Sequence, residues 1–262
     1  MNLIADEQLK YYHENGFVVI KNLLDAEYCD MFYKTIRQHA DIHFSAIMNP
    51  DRFEFLIAQS FENTDNLLSL NDKVSCVEKI LKTSKMCRDL LKNKKISKIL
   101  STIQGNEVKG LMSQMLFKEA KSKYCSQAWQ PHQDNAYPKN KNGQYLTINL
   151  FLKDAFKKNG SLYAYKGSHK SGLFENIEVP SYREKIGTNP GNIISDVYLN
   201  NFEKIDLEFD KGDMLVLHGN CIHGSYPNYS NFSRPLFSCS YITKGEDFIA
   251  GKNAQRKIID LN

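Results

Sequence analysis

The part of the chain that follows Gly105 most constrains the fold, because it consists of short strand-like runs separated by turn signals. The runs are 111–117, 146–152, 205–209, 214–217 and 236–242. Turn signals between them are Lys-Asn-Gly at 141–143 and 158–160, Asp-Lys-Gly at 210–212 and Pro-Asn at 227–228. Several short strands with such punctuation are typical of a β-sandwich or a β-barrel. We therefore predict a double-sheet jelly roll over residues 105–245.

The first 104 residues are predicted to be mostly helical. A helix begins near Asp6 and is broken by Asn15-Gly16, after which 17–20 is a short β-branched run that predicts a strand. Asp25 can cap a second helix that runs to about residue 40, and 73–104 reads as two more helices. No repeat or linker separates the two halves. We expect residues 1–262 to form a single, mainly β domain with N-terminal and flanking helices.

Composition and charge indicate which classes of partner this chain is expected to bind. The net charge of +4 is modest and the basic residues are scattered, so we expect no nucleic-acid footprint. No apolar run approaches the roughly 20 residues that span a bilayer, and the first ten residues have no signal-peptide pattern. The six cysteines form no Cys-x-x-Cys pair, which favours free thiols in a reducing compartment. We expect a soluble, cytoplasmic protein that binds a small molecule; the pattern leaves its oligomeric state open.

The segment Trp-Gln-Pro-His-Gln-Asp-Asn at 129–135 offers two metal ligands. His132 and Asp134 are two residues apart, so on an extended chain both side chains point to the same side. His223 is the preferred third ligand; His218 is a rival, but it lies at the end of a predicted strand and is not followed by Gly-Ser. Two imidazoles and one carboxylate form the facial triad of non-haem iron(II) oxygenases.

Arg234 stands eleven residues after His223 and precedes a strand-like run. Its planar, permanently charged guanidinium suits the far carboxylate of 2-oxoglutarate, which it can bind through two parallel hydrogen bonds. The hydroxyl of Ser225, two residues after His223, can add a donor to the same carboxylate. The spacing thus favours an iron site next to a dicarboxylate site.

Several stretches resemble the phytanoyl-CoA dioxygenase family, and together they cover nearly the whole chain. They are DEQLKYYHENGFVVIKNLLD near the N-terminus, WQPHQDNAYP and NLFLKDAFKKNGSLYAYKGSHKSG between 129 and 172, and GDMLVLHGNCIHGSYPNYSNFSRP at 212–235. The family pattern usually has proline before Gly-Ser-His, where this chain has Lys166, a difference that touches no proposed ligand. The resemblance is weakest over 41–104.

The resemblance implies a double-stranded β-helix core, an iron(II) cofactor, and 2-oxoglutarate and dioxygen as co-substrates. It also implies that the strand before the His-x-Asp motif and the strand after it face the co-substrate. Gln114 and Lys118 are the polar candidates on the first, and Asn149 is the candidate on the second. The usual reaction of such a family is hydroxylation of a small molecule, with release of succinate and CO2.

Further residues bear on the prime substrate. Two residues are candidates for substrate contact: Asn135, which directly follows Asp134, and Tyr137, three residues after Asp134. Related halogenases replace the carboxylate ligand by a small residue, so the retained Asp134 favours hydroxylation. We expect a small polar metabolite as substrate, and we hypothesise that 171–200 forms a lid over the pocket. Desaturation, cyclisation or phosphonate hydroxylation by the same site, and a non-redox metal-binding jelly roll, are the alternatives.

Overall fold

The computed structural model describes residues 3–40, 55–58, 85–121, 128–178, 192–249 and 258–261. Its named helices are α1 (Asp6–Asn15), α2 (Ala26–Ala40), α3 (Lys94–Gln104) and α4 (Asp196–Leu199), and residues 85–91 are also helical. The helix predicted to begin near Asp6 corresponds to α1, and the helix predicted to follow Asp25 corresponds to α2. The part of the predicted 73–104 helices before residue 85 lies outside the described residues.

The strands form two larger sheets and one small pair. They are β1 (Phe17–Ile20), β2 (Phe55–Ala58), β3 (Val108–Leu116), β4 (Trp129–His132), β5 (Tyr145–Phe151), β6 (Leu162–Tyr165), β7 (Asn176–Glu178), β8 (Asn192–Ile194), β9 (Lys204–Asp206), β10 (Met214–His218), β11 (His223–Ser225) and β12 (Leu236–Thr243). The major sheet has the order β1-β10-β5-β12-β3-β2, and the minor sheet has the order β4-β11-β6-β9. The strands β7 and β8 pair with each other. The mainly β, double-sheet architecture that the turn pattern predicted is confirmed.

The major sheet is apolar on the face that the helices cover. Ile148 and Leu150 of β5 lie in one core cluster with Phe32 of α2 and Ile99 of α3. Helix α3 reaches this core through buried residues at 96, 99, 100 and 103, which is the spacing of one helical face. Its start is capped by Asn93, whose side chain accepts hydrogen bonds from the two backbone amides of Lys95 and Ile96.

The opposite face of the major sheet packs against the minor sheet. A second core cluster combines Phe151, Leu215 and Leu236 of the major sheet with Leu162 and Ala164 of the minor sheet. Residues that alternate with the helix-facing ones in β5, such as Thr147 and Asn149, must therefore point between the sheets. This alternation gives the space between the sheets polar side chains from β5 as well as apolar ones.

The strand predictions were less accurate where strands are short. The run 205–209 was predicted as one strand, but β9 ends at Asp206, and Phe209 forms only an isolated bridge with Ala155. The three- or four-residue strands β2, β6, β7, β8 and β11 were not predicted, since so few residues show no clear alternation. The suggested lid at 171–200 is only partly described, as β7, β8 and α4. No helix among the described residues is long and apolar enough to cross a membrane.

A glycine fixes the junction between the N-terminal part and the major sheet. Gly212 has a φ of +94°, its carbonyl accepts a hydrogen bond from Leu24, and its amide donates to Phe151. A Cβ atom at this position would overlap the carbonyl oxygen of Leu24. Both the left-handed backbone and the close approach therefore require glycine.

Replacing this glycine should destabilise the fold measurably. Gly212→Ala is expected to lower the free energy of unfolding by about 3 kcal/mol, from backbone strain and steric overlap together. Gly245→Ala is the matched control, since Gly245 has a φ of +88° with no atom within 4 Å of the added Cβ, and it should cost only ~1 kcal/mol. Urea denaturation of the three proteins measures both values, and equal losses would contradict the steric explanation.

Candidate active site

Two histidines face each other across neighbouring strands of the minor sheet. His132 ends β4, His223 begins β11, and the register of this antiparallel pair places them directly opposite each other. Their ring centroids lie 4.4 Å apart. Asp134 starts a short 3-10 turn just after β4, and its two carboxylate oxygens lie 3.5 Å and 3.7 Å from Nε2 of His132 and of His223. The structure thus brings the three predicted ligands together.

Hydrogen bonds fix which nitrogen of each ring faces the carboxylate. Nδ1 of His132 lies 2.7 Å from the carbonyl oxygen of Gln130, and Nδ1 of His223 lies 3.0 Å from that of Cys221. A carbonyl oxygen can only accept, so both Nδ1 atoms carry the hydrogen. Each Nε2 therefore presents its lone pair to the space beside Asp134, which is the arrangement of a metal-ligating histidine.

The charges of these groups also suit a cation. Burial lowers the pKa of His223 to about 4, although Asp134 acts in the opposite direction, so this imidazole is neutral at physiological pH. Burial raises the pKa of Asp134, but His223 and His132 outweigh this effect and hold the pKa below its usual range. Two imidazoles and one ionised carboxylate, with ligand atoms within 4.8 Å of one another, fit a divalent metal such as iron(II).

His218, the rival third ligand, lies elsewhere. It pairs with Leu146 at the end of β10, and its ring lies beside His169, with centroids 5.0 Å apart. Its Nδ1 accepts a hydrogen bond of 3.0 Å from the amide of Asn220. Among the described residues the only group of three potential ligands is His132, Asp134 and His223.

The side chains next to His132 and Asp134 form hydrogen bonds that hold the neighbouring loops in place. Gln133 donates to the carbonyl oxygens of Gly172 and Asn220. Asn135 donates to the Asn140 carbonyl oxygen and to the Asn220 side chain, and it is buried. Asn135, predicted to contact substrate, is thus bonded within the protein framework. Neither it nor Tyr137 lines the cavity beside the ligands.

A cavity lies between the two sheets, and its lining includes the three ligands. Its other lining residues are Gln114, Leu116, Trp129, Thr147, Asn149, Leu162, Gly224, Ser225, Arg234, Leu236 and Ser238. Ser238 of β12 is in register with Gln114 of β3 on one side and with Asn149 of β5 on the other. These three side chains therefore form a polar row across the floor of the cavity.

Among the described residues that line the cavity, Arg234 is the one cation, and it is almost completely buried, with 1% of its surface exposed. Its Nε donates to the carbonyl oxygen of Gly160 at 3.0 Å, whereas its Nη1 is buried with no hydrogen-bond partner in the described structure. Burial lowers the pKa of Arg234 to about 9, so the group is charged at neutral pH. A buried charge without a partner costs several kcal/mol. The site therefore fits an anionic group such as the far carboxylate of 2-oxoglutarate.

The remaining predicted co-substrate residues divide into two groups. Gln114, Asn149 and Ser225 line the cavity with Arg234. Lys118 does not; its ammonium group lies behind Ser225, to whose hydroxyl it donates at 2.8 Å.

The cavity lining also contains Thr147 and Ser238, which were not predicted from the sequence. Thr147 was detectable because it shares the polar face of β5 with Asn149, but a serine or threonine on a strand is too common to be singled out.

A double β-sheet that carries two histidines, an aspartate and a buried arginine around one cavity defines a metal-dependent oxygenase of jelly-roll fold. The family model for phytanoyl-CoA dioxygenase (PhyH) matches residues 12–236. The chain belongs to this family. It is therefore an iron(II)- and 2-oxoglutarate-dependent dioxygenase, as the resemblance implied.

Curated relatives are similar over most or part of the chain. Phytanoyl-CoA dioxygenase 1 of Oryza sativa subsp. japonica is 36% identical over 129 residues, which are 49% of this chain and 44% of the rice protein. The human peroxisomal phytanoyl-CoA dioxygenase is 23% identical, with 99% of this chain and 74% of that protein aligned. A probable alpha-ketoglutarate-dependent hypophosphite dioxygenase of Stutzerimonas stutzeri is 25% identical over 90% of this chain and 77% of its own length.

Solved structures share the fold. The alpha-ketoglutarate-dependent carbocyclase SnoK from nogalamycin biosynthesis aligns with a TM-score of 0.66 at 17% identity, over 95% of this chain and 88% of SnoK. EctD from S. alaskensis aligns with a TM-score of 0.65 at 15% identity, over 98% of this chain and 83% of EctD. At these identities the likeness concerns the jelly-roll architecture.

Metal binding should distinguish the two candidate histidines. His223→Ala is expected to weaken iron(II) binding by more than the ~10–100-fold that loss of a supporting hydrogen bond costs, because it removes a ligand. His218→Gln should bind iron(II) as the unaltered protein does. Anaerobic iron(II) titration, followed by elemental analysis of the desalted protein, measures both. Loss of iron in the His218 variant with retention in the His223 variant would contradict this assignment.

Proposed function

We propose that this enzyme hydroxylates a small polar metabolite and converts 2-oxoglutarate and dioxygen to succinate and CO2. In this proposal His132, Asp134 and His223 are the iron ligands, and Arg234 binds the far carboxylate of the co-substrate. The observation that carries it is the unpartnered Nη1 of buried Arg234, which lines the same cavity as the three ligands. A non-redox metal site has no need of such a group.

The iron and the co-substrate supply the oxidising chemistry when they are bound. The residues of the chain place and shield them. His132 and His223 direct their Nε2 lone pairs toward one point, because the carbonyl oxygens of Gln130 and Cys221 hold the opposite side of each ring. Asp134 contributes the negative charge that a divalent ion requires.

The co-substrate end of the cavity combines a charge with fixed donors. Arg234 is held in place by its hydrogen bond to Gly160, so its free nitrogen keeps one direction. The Ser225 hydroxyl and the amides of Gln114 and Asn149 complete the polar lining that we assign to 2-oxoglutarate. The apolar side chains of Leu116, Leu162 and Leu236 exclude water around it, which strengthens the charge interactions.

The lining also supports a small and polar prime substrate. Apart from Arg234, the described lining residues include no cation that could hold the phosphates of a large activated carrier. The other polar side chains of the lining are neutral, namely those of Gln114, Thr147, Asn149, Ser225 and Ser238. The carboxylate of Asp134 favours hydroxylation over halogenation. Mass analysis of the product separates hydroxylation, which adds one oxygen, from desaturation or ring closure, which removes two hydrogens.

We further propose a cytoplasmic location. The described cysteines at positions 29, 87, 221 and 239 are all buried and free. Free thiols are usual in a reducing compartment. Some curated relatives are named as peroxisomal, so imaging of a tagged protein in the native cell distinguishes the two compartments.

Co-substrate binding tests the role of Arg234. Under anaerobic conditions the iron(II)-loaded protein should develop a visible charge-transfer band on titration with 2-oxoglutarate. Arg234→Met should weaken binding on the order of 100-fold, because truncating one member of a buried charge pair costs ~3 kcal/mol. Lys158→Met, which removes an exposed charge, is the control and should titrate normally. The absence of any band with intact, iron-loaded protein would reject the proposed function.

The prime substrate can then be found by screening. Substrate-stimulated formation of succinate across a library of small metabolites should identify compounds that the cavity accepts. We expect neutral or singly charged polar compounds to stimulate turnover and long-chain CoA thioesters to have no effect. Stimulation by CoA thioesters alone would contradict the proposed substrate class.

A further inference from the structure

Lys118 is a second buried cation beside the proposed co-substrate site, and it makes no contact with the cavity. We propose that Lys118 is a positioning residue: it holds the Ser225 hydroxyl as a donor toward the cavity and adds positive charge behind Arg234. The inference rests on the proposed function, because it concerns the binding of a carboxylate at Arg234 and Ser225. It assigns Lys118 a role through Ser225 instead of direct contact with the co-substrate.

The fold is built to accommodate this lysine. Lys118 follows β3, is 0% exposed and has a φ of +39°, a backbone conformation that is costly for a residue with a side chain. Its Nζ donates to the Ser225 hydroxyl at 2.8 Å, to the Tyr226 carbonyl oxygen and, more weakly, to the Gly160 carbonyl oxygen at 3.5 Å. A Cβ on Gly160 would overlap Cδ of Lys118, so glycine at that position makes room for the side chain.

The hydrogen bonds around Ser225 leave one direction for its own hydrogen. Its Oγ accepts from Nζ of Lys118 at 2.8 Å and lies 3.4 Å from the backbone amide of Trp129, which also donates. A hydroxyl has two acceptor lone pairs and one hydrogen. With both lone pairs engaged by donors, the hydrogen points away from them, and Ser225 lines the cavity. A neutral amine could accept this hydrogen instead, so the charged form of Lys118 keeps the hydroxyl available to a ligand.

The charges that face Lys118 explain why it should respond to an anion. Arg234 is the charged group that acts on it, and the neighbouring Glu119 is turned away toward Tyr33, Arg37 and Ser233. Burial and the charge of Arg234 lower the pKa of Lys118 well below its ordinary value. A carboxylate bound at Arg234 acts in the opposite sense and favours the charged ammonium. Co-substrate binding and protonation of Lys118 should therefore promote each other.

Calorimetry can measure this linkage. Protein loaded with manganese(II) or zinc(II) is titrated with 2-oxoglutarate in buffers of different ionisation enthalpy, at several pH values from neutral to alkaline. We expect the unaltered protein to take up as much as about one proton per bound 2-oxoglutarate over part of this range. Lys118→Met should take up none. It should also bind about tenfold more weakly, because the Ser225 hydroxyl is no longer held as a donor and its hydrogen bond to the charged ligand is weakened or lost. Lys158→Met, the exposed-lysine control, should behave as the unaltered protein.

A double-substitution cycle with Ser225→Ala tests whether Lys118 acts through Ser225. If it does, each single substitution weakens binding and the second adds little to the first. Fully additive losses would overturn the proposal, as would unchanged affinity in Lys118→Met or an absence of proton uptake by the unaltered protein at every pH. Thermal unfolding tests whether each variant is folded. If Lys118→Met is not folded, Ser225→Ala remains decisive, because that variant should bind 2-oxoglutarate more weakly while keeping the proton uptake. Failure of the unaltered, metal-loaded protein to bind 2-oxoglutarate would instead contradict the proposed function.

Discussion

The pairing of β4 with β11 at His132 and His223 is the interaction on which the rest of the site depends. Directly opposite residues of an antiparallel pair point to the same face, so the register alone brings the two rings together. Asp134 reaches the same point because it follows His132 by two residues and the chain then turns. A slip of one residue between β4 and β11 would turn one of the two rings to the outer face of the sheet and separate it from the other. The backbone carbonyls that hold the two Nδ1 atoms then fix the orientation of each ring.

The two sheets divide the chemistry between them. The minor sheet carries the potential metal ligands, and β3, β5 and β12 of the major sheet carry the polar row of Gln114, Asn149 and Ser238. The same alternation that buries Ile148 and Leu150 under the helices makes this polar row face inward. Burying the charge of Arg234 opposes folding. A bound carboxylate offsets that cost, so the feature that destabilises the empty cavity is the one that makes it selective for an anion.

The sequence predicted the parts of this arrangement that depend on local pattern. Alternation predicted the long strands of the major sheet, and the spacing from His223 to Ser225 and Arg234 corresponds to residues that line one cavity. Two residues show where a local pattern does not determine the position of a side chain. Asn135 adjoins a ligand, yet the 3-10 turn directs its side chain to Asn140 and Asn220. Alternation from Gln114 also points Lys118 into the cavity, but its positive φ turns the backbone and places Nζ behind Ser225. Both outcomes depend on tertiary contacts that no local pattern contains.

Gly160 connects these observations. Its carbonyl oxygen accepts from both Arg234 and Lys118, which belong to the ends of major-sheet strands, while Gly160 itself precedes β6 of the minor sheet. Lys118 in turn bonds to Ser225, the last residue of β11. The buried cations therefore join the two sheets at one end of the sandwich and close it. The side chain of Asp134 is 20% exposed, whereas that of Arg234 is almost inaccessible. Within the described residues the cavity is therefore more accessible at the metal side than at Arg234. From this geometry we expect 2-oxoglutarate to enter past the metal site and to bind before the prime substrate.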